Sequence, residues 1–346
     1  MGELFESSNG NFDIQKNHIN GKGEYVITAG LTDNGIMGKT DVEAKIFDEK
    51  TITIDMFGAV FFRQFKYKMV THARVFSLTP KFEITERQGL FLANSFHFLS
   101  KKFGYENMCS WAKIKSEKIH LPTQNGKIDF AFMENFIAEL EAERIAELEA
   151  YLSATGLQDY LLTVEEEKAL KEFDNWKFEE FTYQSIFNKI IQGRRLRKED
   201  QISGTIPFVM AGTTNTGVVN YISNPVASFP KNSITIDIFG NTFYRNYDFG
   251  AGDDTGVYWN DKKQYSKEIM LYYTTTMNKS LVGKFSFGKK LRSSQSLDFK
   301  MILPSTKGEP AYAYMEVFIK AVQKLVIKDV VQYAERKVAA TRAVVK

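Results

Sequence analysis

Ile52-Thr-Ile-Asp-Met-Phe-Gly58 returns, with one residue changed, as Ile234-Thr-Ile-Asp-Ile-Phe-Gly240, 182 positions further along the chain. Both copies alternate isoleucine with threonine or aspartate and stop at a glycine, the pattern of a short strand entering a turn. The same offset links other stretches. Leu4-Phe5 answers Ile186-Phe187, Ala29-Gly30-x-Thr32-x-x-Gly35 answers Ala211-Gly212-x-Thr214-x-x-Gly217, and Phe61-Phe62-Arg63 answers Phe243-Tyr244-Arg245. Beyond them, Lys118-x-x-Leu121-Pro122 matches Lys300-x-x-Leu303-Pro304. Phe130-x-Phe132-Met133-Glu134-x-Phe136-Ile137 likewise matches Tyr312-x-Tyr314-Met315-Glu316-x-Phe318-Ile319. One spacing held over so much chain means a module copied in tandem without net insertion. Two copies predict a pseudo-dimer within one chain, not a solenoid.

Similarity between the copies is uneven. The glycine loop, the strand and the Leu-Pro junction are shared, whereas residues 64–117 and 246–299 read as nearly unrelated. A common frame holding a divergent insert suits a recognition protein, in which the frame sets position and the insert sets specificity. After Pro122 and Gly126, apolar residues at spacings of three to five predict an amphipathic helix near 130–152, and its counterpart runs from about Tyr312 to the C-terminus. Thr163-Val-Glu-Glu166 is a capping box opening a short helix up to Phe173.

With 346 residues, 43% hydrophobic and 25% charged, the chain has the composition of an ordinary globular protein of about two domains, which excludes a disordered or fibrous one. A single cysteine, Cys109, excludes an internal disulfide and a cysteine-cluster zinc site, and fits a reducing cytoplasm. The opening MGELFESSNG has no apolar core of a signal peptide. The longest stretch free of charge, Ile202 to Pro230, is interrupted by Gly204, Pro207, Gly212, Gly217 and Pro225, so no membrane span is expected. The net charge of +3 is unevenly spread: residues 134–149 hold six glutamates against the single Arg144. An acidic helix on a basic body suits a polyanion binder, although a plain solvated helix face explains the glutamates as well.

Catalytic signatures are missing. There is no G-x-S-x-G, H-E-x-x-H or C-x-x-C, and His18, His72, His97 and His120 have no ligand spacing, so neither a catalytic residue nor a metal site is expected. Gly283-Lys-Phe-Ser-Phe-Gly288-Lys289 matches a phosphate loop except that Lys290 stands where a magnesium-binding Ser or Thr belongs, and it reads better as a basic loop for DNA phosphates. Asp55 and Asp237, at equivalent strand ends, could be paired catalytic carboxylates; accepting backbone N–H groups of the following turn explains them with less.

The basic residues say more. Arg194, Arg195, Arg197 and Lys198 follow Gly193 in a loop able to neutralise several phosphates. Lys66, Lys68 and Arg74 interleave with Phe65, Tyr67 and Phe76 in the first insert. Lys284, Lys289, Lys290 and Arg292 interleave with Phe285 and Phe287 in the second. These are the candidate DNA contacts on phosphate, and Gln64, Asn94, Asn246 and Asn278 are the candidates for base edges, adenine above all.

Taken together, the Ile-Thr-Ile-Asp-x-Phe-Gly strand, the glycine loop, Lys284 to Leu291, the Leu-Pro junction and the Trp176-Lys-x-x-x-Phe181 opening resemble the specificity subunits of Type I restriction-modification systems. They are similar also to the related recognition subunits of Type IIB systems. The resemblance spans essentially the whole chain and includes the duplication. It implies an α+β fold: two tandem mixed α/β target recognition domains of the same fold, separated by long helices that pack as an antiparallel pair. On that plan residues 1–126 are the first recognition domain, 127–174 the central spacer region, 175–308 the second domain and 309–346 the C-terminal spacer helix. It implies a non-catalytic subunit that reads an asymmetric bipartite site in double-stranded DNA. DNA adenine methyltransferase subunits would dock on its helices, with a nuclease subunit in systems that cut. No cofactor is expected in this chain; S-adenosylmethionine would sit on the methyltransferase, since no N-P-P-Y or D-P-P-Y motif occurs here. The counterpart of Trp176 falls before Met1, so the first copy is expected to lack that leading edge or to have it supplied otherwise. Two readings compete: a self-contained DNA-modifying enzyme using Asp55 and Asp237, and a coiled-coil scaffold without nucleic acid.

Overall fold

The computed structural model describes residues 1–225 and 228–344, the side chains of 341–344 excepted. The chain forms two compact units, Met1–Ala150 with Val338–Lys346, and Tyr151–Lys337.

In the first unit β1 (Phe5–Asn9), β2 (Glu24–Ile27), β3 (Ile36–Thr40), β4 (Thr51–Ile54), β5 (Val60–Arg63), β6 (Tyr67–Met69) and β7 (Phe76–Pro80) precede α1 (Glu86–Asn94) and the single turn α2 (Trp111–Ile114). A small ribbon, β8 (Thr123–Gln124) and β9 (Lys127–Ile128), then leads into the long helix α3 (Phe130–Ala154). The strands make an antiparallel sheet of order β1-β7-β4-β5 and a second of order β3-β2-β6, in which β2 and β6 run parallel.

Strand β4 shows why its sequence alternates isoleucine with threonine: both faces are buried. Ile52 and Ile54 are fully enclosed with Phe5, Leu78, Phe96 and Met133, each stabilising the fold by about 2–3 kcal/mol. On the other face Thr53 Oγ1 accepts Arg63 Nε at 2.8 Å, and Thr51 Oγ1 meets Tyr67 OH at 2.8 Å, which in turn donates to Ser77 Oγ at 2.7 Å. The hydroxyls let a polar layer lie beneath a central strand without orphaned donors.

The second unit runs α4 (Val164–Lys171), β10 (Phe178–Thr182), α5 (Tyr183–Ile186), β11 (Lys189–Gln192), β12 (Ser203–Val209), β13 (Val218–Ile222), β14 (Ser228–Phe229), β15 (Ser233–Asp237), β16 (Thr242–Arg245) and β17 (Phe249–Ala251). It continues with β18 (Thr255–Trp259), α6 (Lys267–Leu281), β19 (Lys300–Thr306), β20 (Glu309–Pro310) and α7 (Tyr312–Val344), whose residues from Val338 on are counted with the first unit. Its sheets have orders β11-β18-β15-β16 and β13-β12-β17-β14, with β12 and β17 parallel. A third, β10-β19-β20, has no full counterpart among the described residues of the first unit. Even the β-bulge repeats, between Val26 and Ile27 and between Phe208 and Val209.

The divergent inserts turn out to share topology. β6, β7 and α1 recur as β17, β18 and α6, although little sequence survives there. At β7 and β18 the offset shrinks, for Ile52 lies opposite Leu78 while Ile234 lies opposite Tyr258. What these segments keep is the pattern of burial, which Leu and Tyr satisfy equally. Thr163 caps α4 as its capping box requires, accepting Glu166 N–H at 3.2 Å while Glu166 Oε2 accepts Thr163 N–H at 2.8 Å. The two residues after Val344 lie outside the described residues. Among the described residues no helix is long and apolar enough to cross a membrane.

Candidate nucleic-acid interface

In each unit the glycine loop is held from beneath by one carboxylate and one guanidinium. Asp55 Oδ2 accepts Gly30 N–H at 2.9 Å, while its Oδ1 accepts Phe57 and Ala59 N–H, both at 2.9 Å. Asp237 repeats this with Gly212 at 3.0 Å, Phe239 at 2.8 Å and Asn241 at 2.9 Å, and adds the Asn241 side chain at 2.8 Å. Both aspartates are therefore acceptors that tie strand, turn and loop together.

Arg63 and Arg245 are the matching cations, 2% exposed each. Arg63 Nη2 donates to Asn34 O at 2.8 Å. Arg245 donates to Thr216 O at 2.6 Å from Nη2, and to Thr216 Oγ1 at 3.2 Å and Tyr247 OH at 3.1 Å from Nη1. Burial pushes the Arg63 guanidinium down to about 10 and lowers Arg245 as well, and Arg63 stays charged at neutral pH. The carbonyls they grip, Asn34 O and Thr216 O, each end a pair of residues in the left-handed region: Asp33 and Asn34 at φ 47° and 51°, Asn215 and Thr216 at 47° and 51°. Such backbone costs on the order of 1–2 kcal/mol per residue. Gly35 and Gly217 close the loops where a Cβ would lie 2.7 Å from Thr28 O and 2.6 Å from Met210 O. The product is a stiff loop whose exposed tip reads Leu31-Thr-Asp-Asn34 in one unit and Thr213-Thr-Asn-Thr216 in the other. The frame is identical and the tips differ.

Most of the basic candidates lie on the surface. Arg194, Arg195, Arg197 and Lys198 are exposed after β11, and Arg195, Arg197 and Lys198 line a cavity of about 670 Å³ with Asp253. Arg292 donates to the Asp253 carbonyl from the same side, so the arm and the Lys284–Arg292 segment meet at one place. Lys284, Lys289 and Lys290 are exposed, with Lys290 Nζ 4.7 Å from the Phe287 ring centroid. In the first unit Lys66 is exposed 3.7 Å from Asp48. Arg74 sits on a left-handed turn at φ 50° and lines a cavity of about 850 Å³ with Tyr105, Trp111 and Lys113.

Lys68 requires a correction. It is 5% exposed, and its ammonium donates to Thr40 O at 3.3 Å and Val42 O at 2.5 Å, so it fastens the β3 edge and leaves the set of phosphate contacts. An alternating pattern of lysine and aromatic does not tell an exposed strand face from one that caps its own sheet. Gln64, Asn94, Asn246 and Asn278 are all exposed, Asn246 directly after β16 and Asn278 on α6, which packs against β16. Sequence reading noticed Arg63 and Arg245 only as part of a repeat; their role follows from burial. Cys109 is buried, which pushes its thiol up to about 12. Among the described residues no group of three or more His, Cys, Asp or Glu is placed to hold a metal ion.

Two copies of one mixed α/β domain, each with a loop anchored by the same aspartate and arginine, define a tandem-repeat protein. The model of the Type I restriction modification DNA specificity domain matches residues 1–150 and 175–331, and the chain belongs to that family. The specificity subunit S.BcgI of a type II restriction enzyme from Heyndrickxia coagulans is 24% identical over 335 residues, covering 94% of each chain. The Type I restriction-modification S subunit of M. genitalium has the same fold at 15% identity, with a TM-score of 0.60 over 99% of this chain and 92% of that one. The chain is thus a specificity subunit of a restriction-modification system, a non-catalytic class of subunit.

Proposed function

We propose that each domain reads one half of an asymmetric, interrupted DNA site, and that methyltransferase subunits dock on the long helices. The observation that carries this is the loop built twice on identical anchors with different exposed tips: a fixed frame presents different polar groups to each half-site. Exposed Lys66, Arg74, Arg194, Arg195, Arg197, Lys198, Lys284, Lys289, Lys290 and Arg292 position the domains on phosphates, and Gln64, Asn94, Asn246 and Asn278 are available to base edges. S-adenosylmethionine belongs to the methyltransferase, a nuclease subunit joins where the system cuts, and the complex works in the cytoplasm.

In this reading the length of α3 acts as a ruler. The 25 residues of α3 span about 37 Å at 1.5 Å per residue, close to the roughly 34 Å of one DNA turn. Inserting four residues in α3 is expected to change the spacer between the methylated half-sites and leave both half-site sequences unchanged. Sequencing of methylated adenines in cells expressing the chain with its methyltransferase measures both, and an unchanged spacer overturns the ruler.

A further inference from the structure

Tyr105 and Phe287 stand 182 positions apart, and each is 81% exposed. A lone exposed ring is ordinary on a protein surface, but these two occupy one place in the repeat. Their backbones fold alike: Gly104 and Asn107 exchange both N–H···O bonds at 3.2 Å, and Ser286 and Lys289 exchange theirs at 3.1 and 3.0 Å. Each turn is tied to the strand end that holds the glycine loop, through Cys109 N–H to Met56 O at 2.7 Å and Leu291 N–H to Ile238 O at 2.9 Å. Lys102-Phe-x-Tyr105 and Lys284-Phe-x-Phe287 thus survive inside a stretch that has otherwise diverged.

Basic side chains stand near both turns, although Glu106 lines the Tyr105 cavity and Glu117 pairs with Lys102 at 2.9 Å. Lys102 Nζ lies 5.1 Å from the Phe98 ring, Lys289 5.8 Å from Phe285 and Lys290 4.7 Å from Phe287. Tyr105 is propped edge-on by Phe57 at 4.9 Å and shares its cavity with Arg74 and Lys113. An exposed ring on a stiff turn among ammonium groups matches a polyanion that also offers flat apolar faces. DNA does so at a base step, where proteins insert apolar wedges while lysines and arginines hold the phosphates.

We propose that Tyr105 and Phe287 are paired wedges, each pressing its ring onto a base of its own half-site and loosening the stack there. The inference rests on the reading of one half-site per domain. A loosened step next to a target adenine would also lower the cost of extruding that base to a methyltransferase.

The test uses the chain assembled with its methyltransferase, on duplexes carrying the site found by methylation sequencing, with 2-aminopurine placed in turn across each half-site. Fluorescence is expected to rise several-fold at one step in each half-site. Tyr105→Ala should abolish the rise in one half-site and Phe287→Ala in the other, each weakening DNA binding about tenfold, while Tyr105→Phe keeps the signal. A wild-type complex that binds the site with no rise in either half overturns the wedges and leaves the half-site reading standing; a chain that binds no bipartite site overturns that reading itself. Alanine variants that keep the fluorescence change but no longer retain the methyltransferase on co-purification would assign the rings to protein docking and overturn the proposal. Thermal unfolding of the variants should match the wild type, because neither ring belongs to a core.

Discussion

Tyr314 and Phe318, on the opening turns of α7, are covered. Trp176 lies with ring centroids 4.2 Å from Tyr314, Phe173 stacks on Phe318 at 4.9 Å, and Tyr314 OH donates to Ala169 O at 3.0 Å. Phe132 and Phe136 hold the same places on α3, yet they remain 49% and 47% exposed, with Phe91 edge-on to both. Nearly the same helical sequence therefore has two fates, decided by residues 159–178, which Lys324 pins through Asp159 at 2.8 Å and Glu166 at 3.1 Å. The segments after β1 and β11 differ in charge as well. Where the second unit presents Arg194, Arg195, Arg197 and Lys198, the first has Asp13 with His72 Nδ1 at 2.5 Å. The duplication preserved the frame and left each unit's cover and charge free to change.

The cover gives the largest expected effect. Trp176→Ala removes a large ring from a partly buried aromatic cluster and should destabilise the second unit by about 2 kcal/mol, below the 3–5 typical of a fully buried tryptophan or phenylalanine. Phe132→Ala, at the matching level of α3, should cost under about 1 kcal/mol, because much of that ring already faces water. Urea unfolding of the two variants checks this, and equal losses would break the contrast between a covered and a bare helix face.

Charge comes next. Replacing Arg194, Arg195 and Arg197 together by alanine is expected to weaken DNA binding about tenfold or more at low salt. The slope of log affinity against log salt should fall by about 0.9 for each phosphate that is no longer neutralised. The loss should be confined to the second domain's half-site, since the first has no comparable arm. An unchanged slope would remove the arm from the interface and make the two units alike in this respect.

The frame was legible in the sequence because identical residues at one offset do identical work: Asp55 and Asp237 make the same three backbone bonds, and Arg63 and Arg245 grip the same loop carbonyl. The shared topology of the inserts was not legible. Strands β7 and β18 keep only their burial, with a Leu replaced by a Tyr and the register offset shortened. Lys68 was misread for a related reason: alternation records which faces are distinct, not which of them meets solvent. The matched turns at Tyr105 and Phe287 were within reach, since Lys-Phe-x-aromatic recurs at the common offset. Two identical residues in a divergent stretch are a faint signal until the turn geometry is seen to repeat.

The smallest effect concerns Asp13, whose carboxyl is held below the usual carboxylate range, first by the bond with the His72 side chain, with His72 N–H and the Thr71 hydroxyl, both at 3.1 Å, adding to it. A carboxylate whose folded pKa lies below its unfolded value of about 3.9 contributes stability above that value and loses it as pH falls through the folded one. Its influence is therefore confined to below about pH 4, and solvent screening of this exposed pair keeps it slight. His72→Ala should move the Asp13 titration, followed by carboxyl carbon NMR, only part of the way back up. The Thr71 hydroxyl and the backbone N–H of residue 72 still donate to the same oxygen. A midpoint that does not move would mean that the ring contributes nothing and that the Thr71 hydroxyl and the backbone N–H hold the carboxylate, which would bring the first unit closer to the second than their charges suggest.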